Sequence, residues 1–328
     1  MVVHQRPVAA AVEEDEGALV EDDVAVPAGR AVYTGMLNER GGYESDFTLT
    51  RLAADQYLLV TGSAQTTRDF EFIERRIPAD KHCTVVDISG MYAVLAVMGP
   101  RSRALLQSVS KADWSNAGFP FGTSRELDIG HATVRATRLT YVGELGWELY
   151  VPVEFAVGVH ETLHAAGAAL GLVDAGYYAI DSLRIEKGYR AWGRELTPET
   201  NPFEAGLAFA CKLGSGMPFR GREALLAARA KGIRRRMAVF AVDAPDAMLW
   251  GGEAIMRNGA LAGFVTSAAF GHTLGRPVAM GYVHRDDAAI DAGWIEAGRY
   301  EIDLAGELLP AKVHLRAPVD PDSVRIRG

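Results

Sequence analysis

The sequence predicts an α+β protein that ends in an all-β domain, and three features of the chain lead to that class. Apolar and polar residues alternate in three short runs between residues 31 and 62, separated by a Gly-Gly turn and a short polar turn, which indicates an antiparallel meander. Residues 66–231 mix helical periodicity with strand alternation. After Lys231, short alternating strands follow one another between Gly, Asn and Pro turns, as in a small barrel or sandwich.

The elements follow in order. Apolar residues recur at helical spacing over residues 66–77, and Pro78 ends this first helix. Residues 84–171 are expected to contain two strands, a helix, a hairpin and a second helix, which makes an antiparallel sheet covered by two helices. Further helices are predicted at 176–188 and 220–231, and we place a domain boundary near residue 232.

Composition describes an ordinary globular protein. Of 328 residues, 48% are apolar and 23% charged, and the formal net charge of -8 argues against a general affinity for nucleic acid or an anionic membrane. The two cysteines, Cys83 and Cys211, cannot form a disulfide framework, and neither a membrane span nor a signal peptide is predicted, so we expect a cytoplasmic protein. Residues 1–23 are rich in acid and are expected to be a disordered leader, with order from about Val24.

Glu148 lies within a strand that otherwise looks buried. Alternation puts Glu148 and Tyr150 on one face of that strand and Trp147, Leu149 and Val151 on the other. Glu148 therefore faces something polar. Two interpretations stay open from the pattern alone: a solvent-facing residue of a half-exposed sheet, or a buried acceptor whose two oxygens take paired N–H bonds from an amino-heterocycle.

Asp46 presents the same problem in the segment GGYESDFTLTRL. Phe47 and Leu49 suggest an apolar face, and Asp46 shares the opposite face with Thr48 and Thr50, although Asp is disfavoured in strands. A surface position would cost little. A functional Asp46 would instead stabilise a developing cation or orient a nucleophilic amine.

Other patterns give no site. His160 and His164 have the i, i+4 spacing of helical metal ligands, but the sequence shows no third ligand, so we interpret them as an ordinary helix face and predict no metal site. The glycines of LGSGMPFRG match neither a dinucleotide fingerprint nor a P-loop. Neither cysteine has the context of a nucleophile, so covalent catalysis is not predicted.

With these residues in view, the chain resembles the aminomethyltransferase family, which includes the glycine cleavage T-protein and the folate-binding C-terminal parts of dimethylglycine and sarcosine dehydrogenases. The resemblance runs from about Val26 to the C-terminus. It is carried by VYTGMLNERGGYESDFTLTRL, YVGELGWELYVP, AIDSLRIEKGYRAWGRELTPETNPFEAGLAFACKL and the downstream GGEAIMRNGALAGFVTSAAFGHTLGRPVAMGYV. Ser45 and Trp192 stand at positions that fit the dehydrogenase-linked branch.

The resemblance implies a cloverleaf of antiparallel-sheet subdomains around a channel for tetrahydrofolate. It predicts a folate-binding domain over 24–231, with an incomplete first lobe from 24–82 and 172–231 and a ferredoxin-like second lobe from 83–171, followed by a C-terminal β-barrel over 232–328. The activity implied is transfer of a methylene unit from an N-methylglycine-type amine, or its iminium, to tetrahydrofolate, giving 5,10-methylenetetrahydrofolate.

Residue roles follow from the same resemblance. Glu148 would hold the 2-amino and N3 side of the pterin. Tyr141 and Tyr33 would line the ring pocket, and Asp46 would sit near the reactive nitrogens and stabilise the positive charge of the incoming carbon. Arg184 would contribute a polar contact near the folate or the product.

The resemblance also raises the question of partners. Compared with the family pattern, the chain is expected to be truncated at its N-terminus, and it carries no flavin fingerprint. We expect a small-molecule amine as substrate. We also expect either a flavin-bearing dehydrogenase subunit or a second copy of the chain to cover the exposed apolar surface. Two alternatives to an active transferase stay open. The chain is a non-catalytic folate-binding module or partner subunit of a flavin-dependent demethylating dehydrogenase, or it is an inactive remnant.

Overall fold

The computed structural model describes residues 24–328 in full and the backbone of residues 2–5. The first lobe is a five-stranded sheet with the order β2-β3-β4-β1-β5, and every pair in it is antiparallel. One helix, α1, covers it. The elements are β1 (Val2–Gln5), β2 (Ala31–Leu37), β3 (Tyr43–Ala53), β4 (Gln56–Thr61), α1 (Thr66–Glu74) and β5 (Cys83–Val86).

The predicted meander is confirmed, and its first turn depends on glycine. The chain reverses between β2 and β3 at Gly41, whose φ of +80° lies in the left-handed region, and at Gly42. A Cβ atom on Gly42 would lie 1.8 Å from the carbonyl oxygen of Pro198. The Gly-Gly pair therefore serves both the turn and the close approach of the segment around Pro198.

Two sequence expectations for the first lobe are wrong. Order was expected only from about Val24, yet β1 pairs with β4 on one side and β5 on the other. The strand at 83–86 was assigned to the second lobe, but its hydrogen bonds to β1 place it in the first sheet. Both errors concern pairing between residues far apart in sequence, which alternation cannot reveal. The remainder of the predicted leader, residue 1 and residues 6–23, lies outside the described residues.

The second lobe is a four-stranded antiparallel sheet with the order β6-β9-β8-β7. Two helices, α2 and α3, pack on one face around a core that includes Trp114, Trp147, Leu149 and Leu163. The elements are β6 (Tyr92–Met98), α2 (Ser102–Val109), β7 (Ser124–Ile129), β8 (Ala132–Thr137), β9 (Gly146–Pro152) and α3 (Ala156–Gly167). The expected sheet with two covering helices is confirmed.

Between the second lobe and the barrel lie three helices that connect the parts of the molecule. They are α4 (Tyr177–Glu186), α5 (Pro202–Ala205) and α6 (Arg222–Lys231). The α4 residue Ile185 belongs to a buried cluster with Met237, Met280 and Tyr282 of the barrel. Leu37 and Tyr43 of the first sheet share another cluster with Leu225 of α6. The connecting segment is thus packed on both the first lobe and the barrel.

The C-terminal domain is a closed six-stranded barrel with the order β10-β13-β12-β11-β14-β15. The residue pattern left a barrel or a sandwich open, and the barrel implied by the family resemblance is confirmed. Its core contains Phe240, Ile255, Val283 and Ile302. The elements are β10 (Arg235–Val242), β11 (Ala254–Arg257), β12 (Ala260–Gly271), β13 (Arg276–His284), α7 (Ala292–Glu296), β14 (Tyr300–Leu304), β15 (Glu307–His314) and α8 (Val324–Arg327). The short α8 returns to the second lobe, where Arg138 Nη2 donates to the carbonyl of Arg327 at 2.8 Å.

Candidate functional site

Glu148 lies on the face of the second-lobe sheet that the two helices leave uncovered. Its neighbours in sequence, Trp147 and Leu149, are fully buried in the core, while Glu148 is only partly accessible. Tyr150 Oη donates to Glu148 Oε2 at 2.5 Å. Burial raises the pKa of Glu148, and the Tyr150 hydroxyl opposes the rise. Among the described residues no hydrogen bond to Oε1 is recorded, so that oxygen can accept a donor from a ligand.

The surface beside Glu148 is apolar on the β6 side, whereas on the β8 side Thr137 lies opposite Glu148 and Arg135 opposite Tyr150. In the sheet register Ala96 of β6 lies opposite Glu148, and Val94 opposite Tyr150. Val94 is 51% exposed. A carboxylate next to accessible apolar surface suits a flat ring with N–H groups on one edge.

Asp46 lies on the face of β3 that points away from α1. Its neighbour Phe47 packs into the first-lobe core with Met36 and Ile73. Gly35 is directly opposite Asp46 on β2 and offers no side chain, which leaves room for the diagonal contact in which Tyr33 Oη donates to Asp46 Oδ2 at 3.0 Å. Tyr33 and Asp46 therefore form one unit on the face of the sheet that points away from α1.

Burial raises the pKa of Asp46 to about 6, the Tyr33 hydrogen bond opposes this rise, and the carboxylate of Asp69 adds to it. A raised value means that the protein disfavours the ionised form there. At neutral pH the group is still mostly ionised, and its pKa is close to the range that suits proton transfer.

Replacing Tyr33 with Phe is expected to raise the pKa of Asp46 further, because the phenolic hydroxyl stabilises the carboxylate. Carbon NMR of the aspartate carboxyl groups against pH measures this directly. Asp69→Asn is the opposing control, since it removes a nearby negative charge and should lower the Asp46 value. An unchanged or lower pKa in Tyr33→Phe contradicts the assigned hydrogen bond.

A buried acid that sequence reasoning missed supports the Asp46 strand from behind. Asp69 of α1 is 1% exposed. Ser45 Oγ donates to Asp69 Oδ2 at 2.7 Å, and the Thr61 hydroxyl donates to the same oxygen. Gln65 Nε2 donates to Ser45 Oγ at 3.0 Å. This network fixes the backbone next to Asp46. Its only signal in the sequence was a polar residue, Ser45, on the apolar face of β3.

Tyr141 connects the second lobe to the segment that follows α4. Its hydroxyl donates to the carbonyl of Arg190 at 3.0 Å, and its ring stacks on Tyr189 with centroids 6.2 Å apart. Burial raises the pKa of Tyr141 to about 12; the charge of Arg184 lowers it, and those of Asp46, Glu195 and Asp181 raise it. The charge of Asp46 therefore acts on Tyr141, which is expected if both residues contact the same ligand.

The Arg184 side chain is buried and bonds to other side chains of the protein. Its side chain is 0% exposed, and it donates to Asp181 Oδ1 at 2.9 Å, to Glu195 Oε2 at 3.0 Å and to Ser267 Oγ at 2.8 Å. Glu195, also 0% exposed, accepts from the backbone N–H of Ala191 at 2.9 Å. Arg184 therefore ties α4 and the segment after it to the barrel. A direct contact with a ligand stays a prediction.

Breaking this buried pair is expected to cost about 3–5 kcal/mol of unfolding free energy, because removing Arg184 leaves the Glu195 carboxylate buried without its cation. Urea denaturation of Arg184→Met measures it. The control is Arg75→Met, which breaks the Arg75–Glu71 pair whose side chains are 76% and 46% exposed and should change stability by less than about 0.5 kcal/mol. Equal stability losses would refute the buried network.

Arg190 is a second cation that the sequence did not single out. Its Nε donates to the carbonyl of Ala205 at 2.9 Å, and its Nη1 to that of Gly188 at 2.5 Å. Burial lowers the pKa of Arg190, and the neighbouring Glu195 carboxylate opposes this shift. Arg190 also interacts electrostatically with Tyr33, which places a positive charge near the Tyr33–Asp46 unit. No spacing pattern marks a cation held by backbone carbonyls.

The structure brings most, but not all, of the predicted residues together. Tyr33 bonds directly to Asp46, and the charges of Asp46 and Arg184 both act on the pKa of Tyr141. Glu148 lies on β9 of the second lobe, whereas Asp46 lies on β3 of the first lobe. A ligand that touches both Glu148 and Asp46 must therefore bridge the two lobes.

A separate groove of about 570 Å³ lies on the barrel and contains none of these residues. Positive and negative side chains line it, among them Asp243, Arg276, Glu296, Arg299 and Lys312. Arg276 and Asp243 already pair at 3.3 Å. This groove is therefore distinct from the candidate site. In the described part of the chain, no helix has the length and apolar character needed to cross a membrane.

Comparison with known proteins decides the family. Residues 17–215 match the GCVT N-terminal domain, and residues 235–320 match the glycine cleavage T-protein C-terminal barrel domain. The chain belongs to the glycine cleavage T-protein, or aminomethyltransferase, family. The boundary proposed near residue 232 falls between the two matched ranges.

Individual relatives of this aminomethyltransferase family member show which branches it is similar to. Mitochondrial sarcosine dehydrogenase of Homo sapiens is 43% identical over 94% of the chain, which spans only 35% of that protein. An aminomethyltransferase of Halothermothrix orenii is 35% identical over 82% of the chain and 74% of its own length. The crystal structure of aminomethyltransferase T of the Bartonella henselae glycine cleavage system superposes with a TM-score of 0.83 at 28% identity, covering 99% of this chain and 84% of that one. The resemblance seen in the sequence is confirmed.

Proposed function

We propose that this chain binds tetrahydrofolate between its lobes and transfers a methylene unit to it from an N-methylglycine-type amine or its iminium. One observation carries the proposal: two carboxylates with raised pKa values, Glu148 and Asp46, stand on the uncovered faces of two different sheets. Their positions suit a ligand that carries N–H donors at one end and a developing positive charge at the other.

The residues fit such a ligand. Glu148 has an oxygen open to a donor and accessible apolar surface beside it, which suits the amino edge of a pterin. Tyr141 and Tyr33 are 39% and 36% exposed and supply ring faces between the two acids. Bound tetrahydrofolate would supply the N5 and N10 atoms that accept the one-carbon unit.

The side chains of the protein orient the ligand and assist the transfer. Glu148 accepts two N–H bonds and fixes the orientation of the ring. Asp46, ionised at neutral pH and oriented by Tyr33, stabilises the positive charge on the incoming carbon and can accept a proton from the attacking nitrogen. Arg184 holds Glu195 and Asp181, and thereby the segment that carries Arg190 and receives the Tyr141 hydroxyl.

A coupled assay tests the activity. A flavoprotein that oxidises N-methylglycine is supplied together with tetrahydrofolate, and 5,10-methylenetetrahydrofolate is quantified with and without the chain. We expect that adding the chain increases the yield of 5,10-methylenetetrahydrofolate and decreases the yield of formaldehyde. Folate binding without diversion would instead support a non-catalytic folate-binding module, the second function that the site allows.

We further propose a flavin-bearing dehydrogenase subunit as the partner, because the amine must be oxidised before transfer. The apolar strip formed by Val86, Met91, Tyr92 and Val94, which are 42%, 57%, 37% and 51% exposed, supports a docking surface beside Glu148. Analytical sedimentation of the purified chain tests this. If the chain is monomeric at all concentrations, self-association is excluded. If the monomeric chain also fails to bind a flavin-bearing dehydrogenase, the proposed partner is excluded as well. The cytoplasmic location stays a prediction, since the human sarcosine dehydrogenase relative is named as mitochondrial.

A further inference from the structure

Three metal-ligating side chains meet on the surface of the second lobe, outside the proposed folate site. His160 and His164 lie one turn apart on α3, and Asp174 belongs to the segment between α3 and α4. Their ligand atoms all lie within 4.8 Å of one another. The sequence offered the histidine pair but no third ligand, and the fold supplies one. The stretch HETLH at 160–164 also matches the HExxH pattern of zinc proteins, a match that the interpretation as an ordinary helix face overlooked.

The distances fit coordination. Asp174 Oδ1 lies 3.0 Å from His164 Nε2 and 3.6 Å from His160 Nε2. Ligands at about 2.0–2.1 Å from a tetrahedral zinc ion are separated by about 3.3–3.4 Å, between these two values. The histidine rings face each other with centroids 4.3 Å apart. A metal could be accommodated with small side-chain rotations.

The backbone around Asp174 explains why it reaches the helix. Gly171 takes a φ of +73°, which reverses the chain after α3, and the N–H of Leu172 donates to the carbonyl of Gly167 at 3.0 Å. Leu172 also packs on the second-lobe core. A Cβ on Gly167 would lie 2.6 Å from Leu172, so a glycine there permits the contact. The return that brings Asp174 back to His164 is therefore fixed by packing.

We propose that His160, His164 and Asp174 form a binding site for Zn²⁺ or a chemically similar divalent transition metal. Two imidazoles and one carboxylate provide three ligands, and water completes the tetrahedron. The metal joins α3 to the segment that leads into α4. It stabilises the folded chain, because the unfolded chain does not hold the three ligands together. The site is independent of the proposed folate function.

Calorimetric titration of the full chain with zinc chloride, after removal of metal with a chelator, tests the proposal. We expect one zinc ion per chain and a higher melting temperature with zinc. Replacing a ligand in His164→Ala or Asp174→Asn should weaken binding at least tenfold and abolish the zinc-dependent rise in melting temperature. Asp174 is 78% exposed, so Asp174→Asn is expected to fold normally.

Two matched controls separate coordination from charge. Glu161→Gln removes a negative charge beside the site without removing a proposed ligand, and His131→Ala removes an exposed histidine elsewhere. Both should bind zinc as the unaltered chain does. Mg²⁺, which prefers six oxygen ligands, should not bind. The proposal is overturned if the unaltered chain takes up no zinc at millimolar concentration, or if Asp174→Asn and His164→Ala retain full affinity, in which case the cluster is an ion pair only.

Discussion

Replacing Glu148 with Ala is expected to reduce the affinity for a stable reduced folate by about 10²- to 10⁴-fold. The proposed role gives Glu148 two N–H bonds from the pterin. Hydrogen bonds to a charged acceptor are worth roughly 1.5–3 kcal/mol each, and about 1.4 kcal/mol corresponds to a tenfold change in affinity. Isothermal titration calorimetry of the variant beside the unaltered chain gives the ratio.

The matched control for Glu148 is Glu126→Ala in the same sheet. Glu126 lies on the same face of this sheet but on the edge strand β7, two strands from β9; its side chain is 65% exposed and pairs with Arg135 at 2.6 Å. Its removal should leave folate affinity unchanged. Near-normal affinity in Glu148→Ala, with both variants folded, excludes the proposed pterin contact.

Replacing Asp46 with Asn is expected to slow one-carbon transfer by about 10²- to 10⁴-fold, the range over which a positioned acid or base contributes. Folate affinity should change only a few-fold, since Asp46 faces the carbon being moved rather than the pterin edge. In the unaltered chain, transfer should rise with pH through about 6 as Asp46 ionises. That step should disappear in Asp46→Asn. Single-turnover rates measured across pH test both statements.

The stability of the variant checks that lost activity is not lost folding. The pKa of Asp46 is raised in the folded chain, so its contribution to stability is present at low pH and is lost as pH rises from about 4 to about 6. Asp46→Asn should therefore be at least as stable as the unaltered chain at neutral pH. Asp128→Asn, an exposed acid on β7, serves as the control with unchanged transfer. Loss of folate affinity in proportion to loss of rate would contradict the assignment of Asp46 to the transferred carbon.

The sequence predicted what depends on local alternation. The six barrel strands, the first meander and the second-lobe sheet follow from residue patterns, because the period of a strand directly sorts core from surface. The placement of Trp147 in the core and of Glu148 on the opposite face follows from the same rule. The family resemblance then gave the expected fold.

Features that depend on distant contacts were not predictable in this way. The addition of β1 beside β5 joins residues about eighty positions apart. Arg184 and Glu195 are fully buried, whereas a sequence pattern treats charged residues as exposed. Asp69 reaches Ser45 only because α1 packs on the first sheet, and Asp174 reaches His164 only because the chain reverses after α3. In each case tertiary structure placed a charge that periodicity could not locate.

The most direct measurement of the central claim compares two ligands on the unaltered chain. Calorimetric titration is carried out with a stable reduced folate and with the same folate lacking its 2-amino group. The account predicts one folate bound per chain and an affinity loss of at least tenfold for the analogue, because Glu148 loses one of its N–H partners. Equal affinity for both ligands, or no binding of either, would contradict it.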